Sequence, residues 1–214
     1  KCEYSVSEIV CRLENSILDE TKMIVEQFDD LSLLGTYIYS ELYKTQEYNF
    51  ETNIFETILR KRYVTTEFHW NVKENYMDIW GSAKNAQKII TAISIALDNK
   101  IAIEALTLKF HKLVEFLNKQ DNILVGKVTA KQVVLENGLL ADCTFDMVNQ
   151  IKPFDIISKY INNIQKIAFR WKYRKSEIKM VIFISGAVTI YKKQHLIEDE
   201  ELEQIHKMLL YAGR

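Results

Sequence analysis

Two sets of side chains have the types and spacing that proton transfer or phosphate chemistry requires. Arg62 and His69 are seven residues apart. On a helix both would face one groove, where the imidazole can act as general acid or base and the guanidinium can steady a phosphate. On a strand the same odd separation sends them to opposite faces. The second set is Asp155 with Glu177-Ile178-Lys179. Carboxylates can hold Mg²⁺ through oxygen, and Lys179, on the same strand face as Glu177, can assist an activated water. Asp155 also falls in the first turn of an expected helix, where the dipole alone accounts for a carboxylate. Mg²⁺ enters only through this set; otherwise no cofactor and no metal are expected.

The first spacing is similar to the Arg-x(4–6)-His of helical ribonucleases of the HEPN class, and the second resembles the acid…Glu-x-Lys arrangement of metal-dependent nucleases. A third group is Arg170, Lys172, Arg174 and Lys175 beside Trp171 and Tyr173. Cations with aromatics close by can contact a nucleic-acid backbone and stack bases. By strand alternation, however, Phe169, Trp171 and Tyr173 point away from Arg170 and Lys172, which makes the rings core and the cations solvated. Arg60, Lys61 and Arg62 extend this basic patch only if two hairpins are neighbours. The histidines at 69, 111, 195 and 206 show no zinc-ligand spacing. Gly-x-Gly-x-x-Gly, Walker-type and Gly-x-Ser-x-Gly motifs are absent from the sequence, so no small-molecule site is expected.

The elements that must position these residues are read outward from Gln132–Met147. Asn137-Gly138 supplies the φ > 0 residues of a type I′ turn. In the outgoing arm Leu139, Ala141, Cys143, Phe145 and Met147 alternate with Leu140, Asp142, Thr144, Asp146 and Val148, as in a half-buried strand. Before it, Ser5-x-x-Glu8 has capping-box spacing and predicts a helix from Val6 to Phe28. Leu34, Ile38 and Leu42 suggest a second helix, and Ile54, Phe55, Ile58 and Leu59 a third over Thr52–Lys61. The period then changes. Val64, Thr66, Phe68, Trp70 and Val72 form one face of a strand, with Tyr76–Trp80 as its hairpin partner. Helices are expected over Ser82–Leu97, over Ile103–Leu117 and from Pro153 through Phe154–Gln165. Strands follow at Ile167–Tyr173 and Ile178–Tyr191, with Gly186 as a bend, and a last helix opens at Glu198. The polar stretch Asn118–Asn122 reads as a boundary. The expected fold is thus α+β: a mainly helical region over 1–120 with a hairpin near 62–80, then an antiparallel sheet with flanking helices over 121–214.

A chain of 214 residues with 48% hydrophobic content can bury a sizeable core unaided. One proline and six glycines exclude long flexible linkers. Net charge is −1, but residues 1–50 hold four Lys/Arg against ten Asp/Glu and the rest 24 against 19. Neither part is basic enough to announce nucleic acid alone. Cys2, Cys11 and Cys143 lack CxxC spacing, favouring free thiols and a cytoplasmic location. No uncharged apolar run reaches the ~18 residues of a membrane helix, so no membrane is expected. The expectation is a non-catalytic interaction module with a protein partner in a larger cytosolic assembly. The alternative is a nucleic-acid-binding protein or metal-dependent nuclease using the basic C-terminal hairpin.

Overall fold

The computed structural model describes residues 4–16, 20–135, 138–174 and 176–213. The chain divides into two compact units, Lys1–Ile103 and Glu104–Arg214. The polar stretch 118–122 is therefore internal to the second unit.

The first unit overturns the expectation of a helical N-terminal part. Its elements are α1 (Val6–Asn15), β1 (Thr21–Phe28), β2 (Ser32–Asn49), β3 (Ile54–Asn71), β4 (Tyr76–Trp80) and α2 (Ala83–Ala96). The four strands form one antiparallel sheet in the order β1-β2-β3-β4. The reason for the error is arithmetic. A spacing of four is even, so Leu34, Ile38 and Leu42 share a face on a strand as well as on a helix, and so do Ile54 and Ile58. The β-branched and aromatic residues between them decide for the strand. The capping box at α1 forms as its spacing requires: Glu8 N–H donates to Ser5 Oγ (3.3 Å) and Ser5 N–H donates to Glu8 Oε2 (2.8 Å). The helix nevertheless ends at Asn15.

One sheet face is buried under α1 and α2. Met23, Leu33, Tyr37, Tyr39, Phe68 and Trp70 pack there with Ile9, Leu13, Ile89 and Ile93. Gly35 makes the closest approach possible, because a β-carbon there would run into both the Phe68 ring and the Ile24 carbonyl. A polar chain ties α2 down: Tyr39 Oη donates to Asn85 Oδ1 (2.9 Å) and Asn85 Nδ2 donates to Thr66 Oγ1 (3.1 Å).

β2 and β3 stay in unbroken register from Ser32↔Asn71 to Asn49↔Ile54. β1 stops pairing at Thr21↔Tyr39 and β4 at Glu67↔Trp80. From Ser40 to Tyr63, therefore, the sheet narrows to a bare two-stranded arm.

The second unit contains α3 (Phe110–Asn118), β5 (Ile123–Val134), β6 (Leu140–Asp146), α4 (Pro153–Lys159), β7 (Ile164–Tyr173), β8 (Ser176–Phe183), β9 (Val188–Ile190) and α5 (Asp199–Gly213). Its strands form an antiparallel sheet in the order β6-β5-β7-β8-β9. Val125, Val128, Ile167, Phe169, Trp171, Ile178, Met180 and Ile182 bury one face against Leu113, Leu117, Ile157, Ile205 and Met208 of the helices. The β5–β6 hairpin pairs Val134 with Leu140, and Gly138 lies at φ +77° with its N–H donating to Leu135 O (3.1 Å). Asn137, and with it the expected type I′ turn, lies outside the described residues. Cys143 packs half-buried against the core. The expected helix over Ile103–Leu117 is confined to α3, and the one from Pro153 gives way to a 3₁₀ turn at Ile161–Asn163 and then to β7. Among the described residues no helix is long and apolar enough to cross a membrane.

Candidate functional site

Alternation sorts the arm into two unlike faces, since directly opposed residues of an antiparallel pair share a face. On one face the charged side chains pair with one another beside exposed Ile54 and Ile58. Arg62 donates through Nε to Glu41 Oε1 (2.9 Å) and its guanidinium lies 5.2 Å from the Tyr43 ring centroid. Arg60 pairs with Glu47 at 2.5 Å. The Arg62 hydrogen bond, outweighing desolvation, holds the Glu41 carboxyl below its ordinary value, and the same bond raises the Arg62 guanidinium. The other face is open, and half of its positions are apolar. Its rows are Leu42↔Lys61, Lys44↔Leu59, Gln46↔Thr57 and Tyr48↔Phe55. At the tip Tyr48 meets Phe50 and Phe55 edge-on, with centroids 5.1 and 5.2 Å apart. Phe50 is 84% exposed, Phe55 and Leu42 68%, and Leu59 60%. A lone two-stranded ribbon is marginal in water, and this one spends its apolar side chains on solvent.

The candidate residues of the first unit are not gathered for chemistry. β3 is a strand, so Arg62 and His69 point to opposite faces. His69 Nδ1 sits 3.6 Å from Asp78 Oδ2, while Arg62 is bound to Glu41. The helical ribonuclease geometry is therefore not formed. Arg60, Lys61 and Arg62 do not make a free basic patch either: Lys61 pairs with Glu20, which also accepts from Ser40, and both arginines are paired. The Lys61 hydrogen bond lowers the Glu20 carboxyl, and the Ser40 bond adds to it. A shallow groove of about 550 Å³ lies between β2 and α2, lined by Tyr37, Tyr39, Lys84, Lys88 and Thr91 among others. Lys88 Nζ already covers it, 3.5 Å from the Tyr39 ring centroid.

In the second unit the sheet separates the proposed metal set. Asp155 is exposed on α4, the helix whose Ile157 packs into the buried face. Glu177 and Lys179 alternate with the buried Ile178 and Met180 and so project from the other face. Their side chains approach to 3.9 Å. Among the described residues no three His, Cys, Asp or Glu gather as a metal-holding set. Trp171 is buried, its Nε1 donating to Asn122 Oδ1 (3.2 Å), as alternation implies. Arg170 and Lys172 face outward, and Arg174 pairs with Glu200. Lys175 lies outside the described residues. The two basic stretches belong to different units.

One polar site escaped the sequence reading. Glu201 is 1% exposed, and Lys192 Nζ donates to both its oxygens (3.0 and 2.7 Å) and to Ser176 Oγ (3.0 Å). Glu198 N–H donates to Glu201 Oε2 (3.0 Å). Burial alone would raise this carboxyl, but Lys192, the Glu198 amide and Ser176 outweigh it and hold it below its ordinary value. The Glu198-x-x-Glu201 spacing at the opening of α5 was the available signal. No protein-family model matches this chain and no curated protein matches it, so the surfaces just described carry the functional reading.

Proposed function

We propose that this chain is a non-catalytic interaction module of a larger cytosolic assembly, and that the β2–β3 arm is its docking element, packing face to face against the arm of a second copy. The observation that carries the reading is the exposure of Leu42, Tyr48, Phe50, Phe55 and Leu59 on one face of the arm, gathered into an aromatic cluster at its tip. Its pattern is self-complementary. A two-fold axis across the ribbon at Gln46↔Thr57 places Phe50 over the partner copy's Leu42 position, Phe55 over its Leu59 position and Tyr48 over its Lys44 position. Each contact occurs twice, giving four apolar pairs and two cation–π pairs, with the Gln46 amides meeting at the axis. Free thiols at Cys11 and Cys143 suit a reducing compartment.

The face is about 33 Å long and about 10 Å wide, from strand rise and spacing. Two such faces cover about 700 Å² in total, below the standard size of specific interfaces, so a weak, transient association at roughly tens of micromolar is expected. Light scattering over a concentration series should show a monomer–dimer equilibrium. Phe50→Asp/Phe55→Asp should weaken it at least tenfold with the melting temperature unchanged, since neither residue is in the core. A wild-type chain that stays monomeric to about 100 µM, or a double variant that associates as well as wild type, contradicts the proposal.

A further inference from the structure

The second unit's sheet buries one face and leaves the other open, and the open face collects cations. Reading across the register, one row is Thr129–Lys166–Phe183, the next Lys127–Ala168–Val181, the third Leu124–Arg170–Lys179, and the last ends in Lys172–Glu177. Lys127, Lys166, Lys172 and Lys179 are exposed and Arg170 half-buried. The acids on this face lie at its margins. Asp142 and Asp146 are on edge strand β6, Asp146 opposite Lys127, and Glu177 is at the start of β8. Among the described residues Lys127, Arg170 and Lys172 form no ion pair, and Lys179 reaches only Glu177, at 3.9 Å.

Arg170 and Lys179 are direct cross-strand partners. Like charges so placed oppose the sheet unless an anion lies over them. Two aromatic rings lie on this face, one in the Lys166 row and one beside Lys179. Phe183 is half-buried with Lys166 Nζ 5.8 Å from its centroid. Tyr191 is 68% exposed, and its N–H donates to Lys179 O (2.8 Å), which sets it beside Lys179 on the sheet's edge.

We infer that this open face binds single-stranded nucleic acid. Lys166, Arg170, Lys172 and Lys179 contact the phosphates, and Tyr191 offers a ring on which a base stacks. Lys166 to Lys172 spans about 20 Å along β7, enough for several nucleotides. A flat sheet lacks a helix or ribbon that would enter a duplex groove, whereas cations with an exposed ring suit an unpaired strand of any sequence.

The test is fluorescence anisotropy with a labelled 15-nucleotide RNA and DNA of mixed sequence, and with the matching duplex, at about 50 and 200 mM salt. Four phosphate contacts predict a roughly 50-fold loss of single-strand affinity across that range. Arg170→Gln/Lys179→Gln should bind more weakly and lose only about sevenfold over the same range. Tyr191→Ala should weaken binding about tenfold with the salt dependence unchanged. These positions are outside the core, and unchanged far-UV circular dichroism verifies folding. An absence of salt-sensitive binding overturns the inference, as does a double variant with the wild-type salt dependence. Equal binding of duplex and heparin with no effect of Tyr191→Ala marks a general polyanion surface and also overturns it.

Discussion

Replacing Lys192 with methionine should destabilise the second unit by about 3–5 kcal/mol, the cost of leaving a buried carboxylate without its cation. Glu201 is almost wholly buried and loses two charge-assisted hydrogen bonds in that variant, keeping the amide of Glu198. The companion variant Lys192→Met/Glu201→Met removes both charges and should recover most of the loss, because an apolar pair of similar volume replaces an ion pair without an uncompensated group. The sign of the pH dependence follows from the direction of the shift. In the wild type the Glu201 carboxyl is held below its ordinary value. Its contribution is therefore complete above the unfolded carboxyl value, about 4.3, and is lost as pH falls through the lower folded value. In Lys192→Met the Glu198 amide and Ser176 still lower the carboxyl, but the hydrogen bonds and charge of Lys192 no longer offset burial, so the carboxyl rises and the variant's deficit should be largest near pH 7 and shrink on acidification. Urea unfolding of the full chain at pH 7 and pH 5 measures both. A deficit that is small, or that grows on acidification, contradicts the assignment.

The second large effect is expected at Gly186, which turns the chain between β8 and β9 at φ +78°. Its N–H donates to Phe183 O (3.0 Å), and the segment that precedes α3 crosses directly over it. Leu108 N–H donates to Ile184 O (3.0 Å) and Lys109 N–H to Ala212 O (2.9 Å), so Leu106 is held between this turn and the end of α5. A β-carbon at 186 would overlap the Leu106 carbonyl oxygen, a backbone atom that cannot rotate aside. Left-handed strain of about 1–2 kcal/mol and overpacking of about 1–3 kcal/mol then add, so Gly186→Ala should cost on the order of 2–5 kcal/mol. Gly138 provides the control. It has almost the same angle, φ +77°, but nothing among the described residues lies within 4 Å of its missing side chain. Gly138→Ala should cost only the strain, about 1–2 kcal/mol. Thermal melts of the two variants should therefore differ by several degrees, with Gly186→Ala the lower.

Much of the second unit is legible in the sequence because its signals are local and of one period. The alternation from Leu139 to Met147, the run from Ile167 to Tyr173 and the acid-rich opening of α5 each point to one structure. The first unit misleads for a physical reason. In β1, β2 and β3 the apolar residues stand four apart, at Ile24 and Phe28, Leu34, Ile38 and Leu42, Ile54 and Ile58, and an interval of four satisfies both helix and strand. The tyrosines at 37, 39 and 43 carry the period of two that decides the matter. Length is the other missing signal. Nothing local tells that β2 and β3 continue ten residues beyond their neighbours, because the end of β1 and the short reach of β4 create the arm. The candidate spacings come apart at the same level. Arg62 with His69, and Asp155 with Glu177, are spacings along the chain that a strand and a sheet respectively place on opposite sides. The Lys192–Glu201 pair and the cation rows of the open sheet exist only after the strands find their register.

The arm can be interrogated most directly by placing one thiol on each of its faces. Gln46→Cys and Thr45→Cys are adjacent in β2 but on opposite sides of the ribbon. Each is made with Cys11→Ser, and the parent chain reports the background. If open faces meet about the Gln46↔Thr57 row, a short bismaleimide should join two Gln46→Cys chains efficiently at tens of micromolar concentration. It should leave Thr45→Cys chains at background, and Phe50→Asp/Phe55→Asp should abolish the Gln46→Cys product. Equal cross-linking from both faces, or none from Gln46→Cys, would contradict arm-mediated pairing.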